Sequence, residues 1–282
     1  MITALLACYN RRALTERALR SLLGAGAAAG LEIRVVLYDD GSTDGTADAA
    51  RAIVPEERLE VLQGAGDAFW ARSMATAEQH ALADARDGDH LLWLNDDVVL
   101  APGALTMLVD VLDDRTDRLA VGATTDPETG LVNYGGYIRS GVHPLRFRHL
   151  QPNGTAQPVA TLNGNCVLVP VEAARRIGGI QGSYSHGLAD IDYGLRANRA
   201  GVVPLLAPAP IGTCPSHPPE RRRPLREEWA RFRSVKGGGH PASMRRVLQE
   251  VRPRTWPVFF ASSYATWWLR ALRNAARRSP TG

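Results

Sequence analysis

Leu91-Leu92-Trp93-Leu94-Asn95-Asp96-Asp97-Val98 runs four apolar residues straight into an amide and two carboxylates. An unpaired carboxylate in an apolar interior carries a large desolvation cost. The apolar run therefore reads as a buried strand, with Asp96 and Asp97 at its exposed carboxyl end. In open α/β sheets that edge is where ligands bind. Carboxylates there suit Mg²⁺ or Mn²⁺, which take few protein ligands and complete their shells with water and phosphate oxygens. A strand-end turn with solvated aspartates fits the same residues, so the motif needs company before it carries a function.

Outward from this stretch, apolar runs at 2–8, 33–38, 59–64, 91–95 and 119–123 read as strands. Helical patterns at 15–23, 46–53, 71–85 and 102–112 separate most of them, and Pro102 suits a first helical turn, where its missing N–H is not needed. This alternation predicts a mainly parallel, Rossmann-like sheet covered by helices on both faces, with nucleotide bound in the first half. Beyond Thr124 the pattern loosens: strands at 133–138 and 166–169 flank a Pro/Gly/Arg-rich stretch over 140–158, and helices follow at 171–177 and 189–200. Seven prolines from Pro204 to Pro224 predict an extended linker, and a helical appendage follows at 225–232, 243–251 and 256–273.

A chain of 282 residues with 45% hydrophobic and 22% charged residues has the composition of a globular domain. It has no run of about 18 uninterrupted apolar residues, so no transmembrane helix is expected. The apolar N-terminus lacks a basic leader and reads as the first core strand. Cys8, Cys166 and Cys214 are odd in number and have no Cys-x-x-Cys spacing, which suggests neither a zinc site nor a disulfide framework and favours a reducing cytosol. Lys236 is the only lysine against 32 arginines, a bias expected of a GC-rich bacterial genome.

Charge is uneven: residues 1–215 carry −7 and residues 216–282 carry +11. The tail therefore faces something anionic: the inner leaflet of a membrane, a lipid-diphosphate acceptor, or the acidic body of the same chain. Its Trp256, Phe259, Phe260, Tyr264, Trp267, Trp268 and Leu269 make a helix apolar nearly all round. That favours docking on the body or a homodimer contact over a peripheral membrane contact. No nucleic-acid partner is expected.

Two further acidic clusters accompany the first. Ile33-Arg34-Val35-Val36-Leu37-Tyr38-Asp39-Asp40-Gly41-Ser42-Thr43-Asp44-Gly45-Thr46 reads as a strand, a turn and a helix start, with Asp40 or Asp44 suited to capping that helix. Ala189-Asp190-Ile191-Asp192-Tyr193-Gly194-Leu195-Arg196 lies downstream. In this order, with Leu6-Ala7-Cys8-Tyr9-Asn10-Arg11 and Gly178-Gly179, they resemble the family 2 inverting glycosyltransferases, which use nucleotide-diphosphate sugars on a GT-A fold. The resemblance spans Thr3 to about Leu206. It divides the chain into a nucleotide-sugar-binding half (1–124), an acceptor-binding half of the same domain (125–210) and a basic, aromatic-rich helical region (211–282).

The resemblance implies residue roles. Asp39 would bind the base or ribose, with Ala7 and Tyr9 bordering the base. Arg72 would lie near the donor, and Trp70 would stack on sugar or nucleotide, or else pack the sheet. Asn95-Asp96-Asp97 matches the family's Asp-x-Asp motif with Asn95 in the first acidic place. Asp97 would bind Mg²⁺ or Mn²⁺, Asp96 would contact ribose or a metal-bound water, and His217 would return to the metal or diphosphate. Asp190 would be the catalytic base, although Ala189 stands where the family often has Glu. Asp192 competes for that role, but its i,i+4 spacing to Arg196 allows an ion pair, and a paired carboxylate is a poorer proton acceptor.

The implied activity is metal-dependent, inverting transfer of one sugar from a nucleoside-diphosphate sugar, UDP or dTDP favoured, to a glycan, lipid-linked or small-molecule hydroxyl. The Gln-x-x-Arg-Trp motif of processive synthases is absent, and Phe69-Trp70 resembles bacterial rhamnosyltransferase-like members. A sugar nucleotidyltransferase would carry a glycine-rich loop where Cys8-Tyr9-Asn10-Arg11-Arg12 stands. An inactive member that only binds nucleotide-sugar or glycan is the remaining alternative.

Overall fold

The structure, a computed structural model, describes residues 1–184, 187–216 and 223–276. The first half alternates as read: β1 (Ile2–Cys8), α1 (Arg12–Ala29), β2 (Ile33–Asp39), α2 (Thr46–Ile53), β3 (Leu59–Gln63), α3 (Phe69–Asp84), β4 (His90–Leu94), β5 (Val99–Leu100), α4 (Ala104–Leu112) and β6 (Arg118–Thr125). Next come β7 (Val132–Tyr134), β8 (Gly136–Arg139), β9 (Phe147–His149), β10 (Gln157–Pro158), β11 (Thr161–Leu162), β12 (Cys166–Pro170), α5 (Val171–Ile177) and α6 (Ala189–Arg199). The chain ends with β13 (Val203–Thr213), α7 (Leu225–Phe232), α8 (Pro241–Val251) and α9 (Trp256–Ala276).

The central sheet runs β10-β13-β6-β12-β4-β1-β2-β3, with β5 added to β13 and β7 to β6. It is parallel across β4-β1-β2-β3 and mixed beyond, because β12 lies antiparallel between β4 and β6. β4 explains why the opening run is continuously apolar. Leu92 and Leu94 pack on one face with α1 and α4, and Leu91 and Trp93 pack on the other with α3, α5 and α6. A strand covered on both faces has no polar side to alternate with.

The expected linker is instead partly a strand. β13 pairs with β6 in parallel and with β10 and β5 in antiparallel, so Pro204, Pro208 and Pro210 lie inside the sheet. The ladder tolerates them because its register shifts on both sides of Pro210, and bulges are where strand prolines are accommodated. The strand expected over 133–138 is split into β7 and β8 at Gly135, whose φ of 148° breaks the pleat. β8 leaves the main sheet to form a three-stranded sheet, β11-β8-β9. Helix α4 starts two residues after Pro102, which sits in the preceding turn.

The tail packs on its own chain. Trp229 and Phe232 of α7 meet Tyr264 and Trp267 of α9, Phe232 stacking on Trp267 at 5.5 Å. His143 of the body meets the Ser263 hydroxyl at 3.0 Å. Val247 and Val251 of α8 share a small core with Ala71, Tyr184 and Leu195. Among the described residues no helix is long and apolar enough to cross a membrane.

Two close contacts pack α6 and the segment before it against the rest of the fold. Gly194 lies so close to β11 that a Cβ there would sit 2.6 Å from the Thr161 hydroxyl oxygen. Buried Glu78 of α3 accepts the Ile180 N–H beside Gly178-Gly179. Gly194→Val should destabilise the fold by about 1–3 kcal/mol, as overpacking does, readable as a lower melting temperature. Burial lifts the Glu78 carboxyl from 4.5 to about 7. The folded chain then holds a proton that the unfolded chain releases, so this group's stabilisation is lost as pH rises from about 4.5 to about 7. In Glu78→Gln the fall in melting temperature across that window should be flatter than in wild type.

Candidate active site

The carboxyl ends of β1, β2 and β4 open into a cleft of about 650 Å³. Asp96 and Asp97 follow β4 after Asn95 and are only 4% and 8% exposed. What keeps two adjacent, nearly buried carboxylates tolerable is Arg11, at the start of α1. Its guanidinium spans the pair, with Nη1 at 2.7 Å from Asp96 and Nη2 at 2.9 Å from Asp97. Burial still outweighs Arg11 at Asp96 and lifts its carboxyl to about 7. On the other side of Asp97 the Cys214 thiol donates at 3.4 Å. Burial and Asp97 push that thiol's pKa up, so it stays protonated and able to donate.

A second set of contacts ties this edge to α6. Trp70 donates its indole N–H to Asn95 at 2.8 Å, and the Asn95 amide donates to Asn165 at 2.7 Å. The Asn165 amide in turn meets Cys214 sulfur at 3.4 Å. Gly164 packs under the Trp70 ring, where a Cβ would sit 2.6 Å from the nearest ring carbon. Its N–H donates to Asp190 at 3.2 Å. Asp190 lies in the first turn of α6 and faces the cleft. Burial raises its pKa, opposed by the Ile191 and Gly164 N–H groups. It has no basic partner among the described residues. Asp192 is 3% exposed and pairs with Arg196 at 2.7 Å, as its spacing predicts, and it does not line the cleft.

The cleft gathers Ala7, Tyr9, Trp70, Asn95, Asp96, Asp97 and Asp190 from the expected residues. Asp39 is not on its wall: it is buried at the end of β2 and accepts the Ser42 N–H at 2.8 Å. Arg72 is exposed on α3, 3.7 Å from Asp67, and is also off the wall. His217 lies outside the described residues. Asp40 lines the cleft but does not cap α2. It accepts the N–H groups of Gly66, Ala68 and Phe69 and so fixes the entry to α3. Asp44 does bond the Thr46 N–H at the start of α2.

The sequence reading missed Arg11, Cys214, Gly164 and Asn165. Arg11 stood inside a quoted motif, but a basic residue near acids is an unremarkable signal in an arginine-rich chain. Among the described residues, three of the five non-glycine residues with positive φ flank the cleft: Asn10, Phe69 and Leu188. Such strain persists where surrounding structure enforces it, often at functional sites.

Asp96 and Asp97 fit a divalent cation of the Mg²⁺ or Mn²⁺ kind, for which one or two carboxylates suffice. Among the described residues no cluster of three or more His, Cys, Asp or Glu could hold a metal alone. The donor set suits an ion that shares its shell with water and a substrate phosphate.

The sheet-edge cleft, with an Asp pair after one strand and a lone Asp on a facing helix, lies on a GT-A-like fold. The chain belongs to Glycosyl transferase family 2, whose model matches residues 3–178. It is 27% identical over 271 residues to the N-acetylglucosaminyl-diphospho-decaprenol L-rhamnosyltransferase of Mycobacterium tuberculosis, covering 88% of this chain and 80% of that protein. In fold it resembles the mannosyltransferase PcManGT from Pyrobaculum calidifontis, solved with GDP-Man and Mn²⁺. The TM-score is 0.58 at 19% identity, over 99% of this chain and 75% of that one. It also resembles residues 1–349 of S. aureus TarS, with a TM-score of 0.56 at 14% identity, over 88% of this chain but only 64% of that one.

Replacing Arg11 by Ala leaves the Asp pair without a counter-charge. Arg11→Ala should lower stability by about 1–2 kcal/mol, discounted for a half-exposed guanidinium, and millimolar Mn²⁺ should restore part of the lost melting temperature.

Proposed function

We propose that this chain transfers a single sugar, with inversion, from a nucleoside-diphosphate sugar to an acceptor hydroxyl, and that the transfer depends on Mg²⁺ or Mn²⁺. The observation that supports the reading is that Asp190 lines the same cleft as Asp96 and Asp97 and, among the described residues, forms no ion pair. A carboxylate kept free of ion pairing and lifted by burial is suited to accept a proton.

Asp190 takes the proton of the acceptor hydroxyl as its oxygen attacks the anomeric carbon. The bond from that carbon to the diphosphate oxygen breaks on the opposite face, and its electron pair leaves with the nucleoside diphosphate. One displacement inverts the anomeric centre and needs no covalent sugar–enzyme intermediate. Asp97, with Asp96, would hold the divalent ion, which supplies neutralising charge to the departing diphosphate. Tyr9 and Ala7 border the nucleotide from β1. Trp70, its indole N–H committed to Asn95, presents ring surface to the sugar. Asp39 acts on the base side through the turn it fixes at Ser42.

The similarity to a rhamnosyltransferase whose name specifies a diphospho-decaprenol acceptor supports a deoxysugar donor, dTDP- or UDP-linked, and a lipid-linked acceptor. A lipid-linked acceptor is compatible with a chain that works peripherally at the inner face of the membrane, with the basic tail on that side.

Incubating UDP-, dTDP- and GDP-sugars with Mn²⁺ and a short-chain lipid-diphosphate acceptor should yield product with one base only, its anomeric configuration inverted by NMR. Asp190→Asn should lower kcat by about 10²–10⁴-fold while donor binding persists. The wild-type acid limb of kcat should lie above the ordinary carboxylate range, because Asp190 must be deprotonated to act. Retention of configuration, or full activity in Asp190→Asn, would remove this mechanism.

A further inference from the structure

The loop between α7 and α8, beyond the part of the chain that matches the family, brings one more charge to the cleft. Lys236, the only lysine of the chain, lines the same cleft as Asp96, Asp97 and Asp190. Its Nζ lies 5.7 Å from the centre of the Phe69 ring. Among the described residues it pairs with no carboxylate.

The loop is built to hold that position. Gly237 and Gly239 donate their N–H groups to Ser234 and Phe232 carbonyls at 2.8 and 3.0 Å. A Cβ at Gly237 would collide with the Phe232 and Arg231 carbonyl oxygens, and one at Gly239 with the Phe232 ring. The Tyr264 hydroxyl of α9 donates to the Gly239 carbonyl at 2.8 Å. The aromatic packing of Phe232 on Trp267 thus fixes the loop from behind.

Charge accounting gives this ammonium a task. The cleft wall carries four carboxylates, Asp40, Asp96, Asp97 and Asp190, against two cations, Arg11 and Lys236. Arg11 is spent on the Asp pair. A diphosphate brings further negative charge to this wall beyond what a divalent ion on the Asp pair would offset, and Lys236 is the side chain placed to meet it. A lysine ammonium is a compact, mobile point charge suited to phosphate oxygens.

We propose that Lys236 is a diphosphate ligand, delivered to the rim of the cleft by the C-terminal helices, so that the tail completes the substrate site. The proposal rests on the donor reading above. The diphosphate belongs either to the nucleotide or to a prenyl-diphosphate acceptor, and one set of titrations separates the two. UDP, dTDP, GDP, the matching nucleosides and farnesyl diphosphate would each be titrated calorimetrically, with Mn²⁺, into the full chain and into Lys236→Ala and Lys236→Arg. Lys236 is exposed, so all three should melt alike.

The expected result is an affinity loss of about tenfold or more in Lys236→Ala for one diphosphate class, in line with charged hydrogen bonds. Nucleoside binding should be unchanged, Lys236→Arg should recover most of the affinity, and the salt dependence of binding should be shallower in Lys236→Ala. The class that responds names the source. If wild type binds a diphosphate and Lys236→Ala matches it within twofold, the role of Lys236 is overturned and the donor reading stands. If wild type binds none of them, the donor reading fails and this proposal with it.

Discussion

Two neighbouring carboxylates at the rim of an apolar sheet cannot both stay ionised without a positive charge in reach, and Arg11 supplies it. That ion pair joins the start of α1, just after β1, to the end of β4, and β1 and β4 are parallel neighbours in the sheet. A metal ion or a diphosphate entering the cleft must negotiate with the same guanidinium. The resting protein thus offsets part of this charge with its own side chain, and substrate chemistry begins from that balance.

Around this centre the supporting contacts run in one direction. Trp70, Asn95, Asn165 and Cys214 form a polar chain that ends on Asp97, while Gly164 links the same region to Asp190. The groups read as metal ligand and as base are therefore held by one shared strip of backbone over 163–165. Displacing that strip would move both, which couples donor and acceptor geometry through residues that carry no charge.

Much of this was legible in the sequence for a simple reason. Carboxylates that directly follow an apolar run, as Asp96 and Asp97 do, have nowhere to go but the sheet edge. The split between Asp190 and Asp192 was equally readable, because i,i+4 spacing to Arg196 is local information. What escaped was long-range. Asp40 bonds N–H groups 26 to 29 positions away, and no nearby residue signals this. Arg11 reaches Asp96 across 85 positions in a chain where arginine is common enough to carry little information. β13 was read as linker because proline count is a good guide to extended chain but does not tell a bulged strand from a loop. The resemblance supplied Asp39 and Arg72 as site residues, yet both lie off the cleft wall, since motif position does not fix where a side chain points.

The scarcity of lysine has a practical side. Among the 33 Lys and Arg side chains only Lys236 carries a primary amine. Among side chains, an amine-directed reagent therefore has one target, at the rim of this cleft. A fluorophore or cross-linker coupled under mild conditions would report from beside the aspartates, without any engineered cysteine.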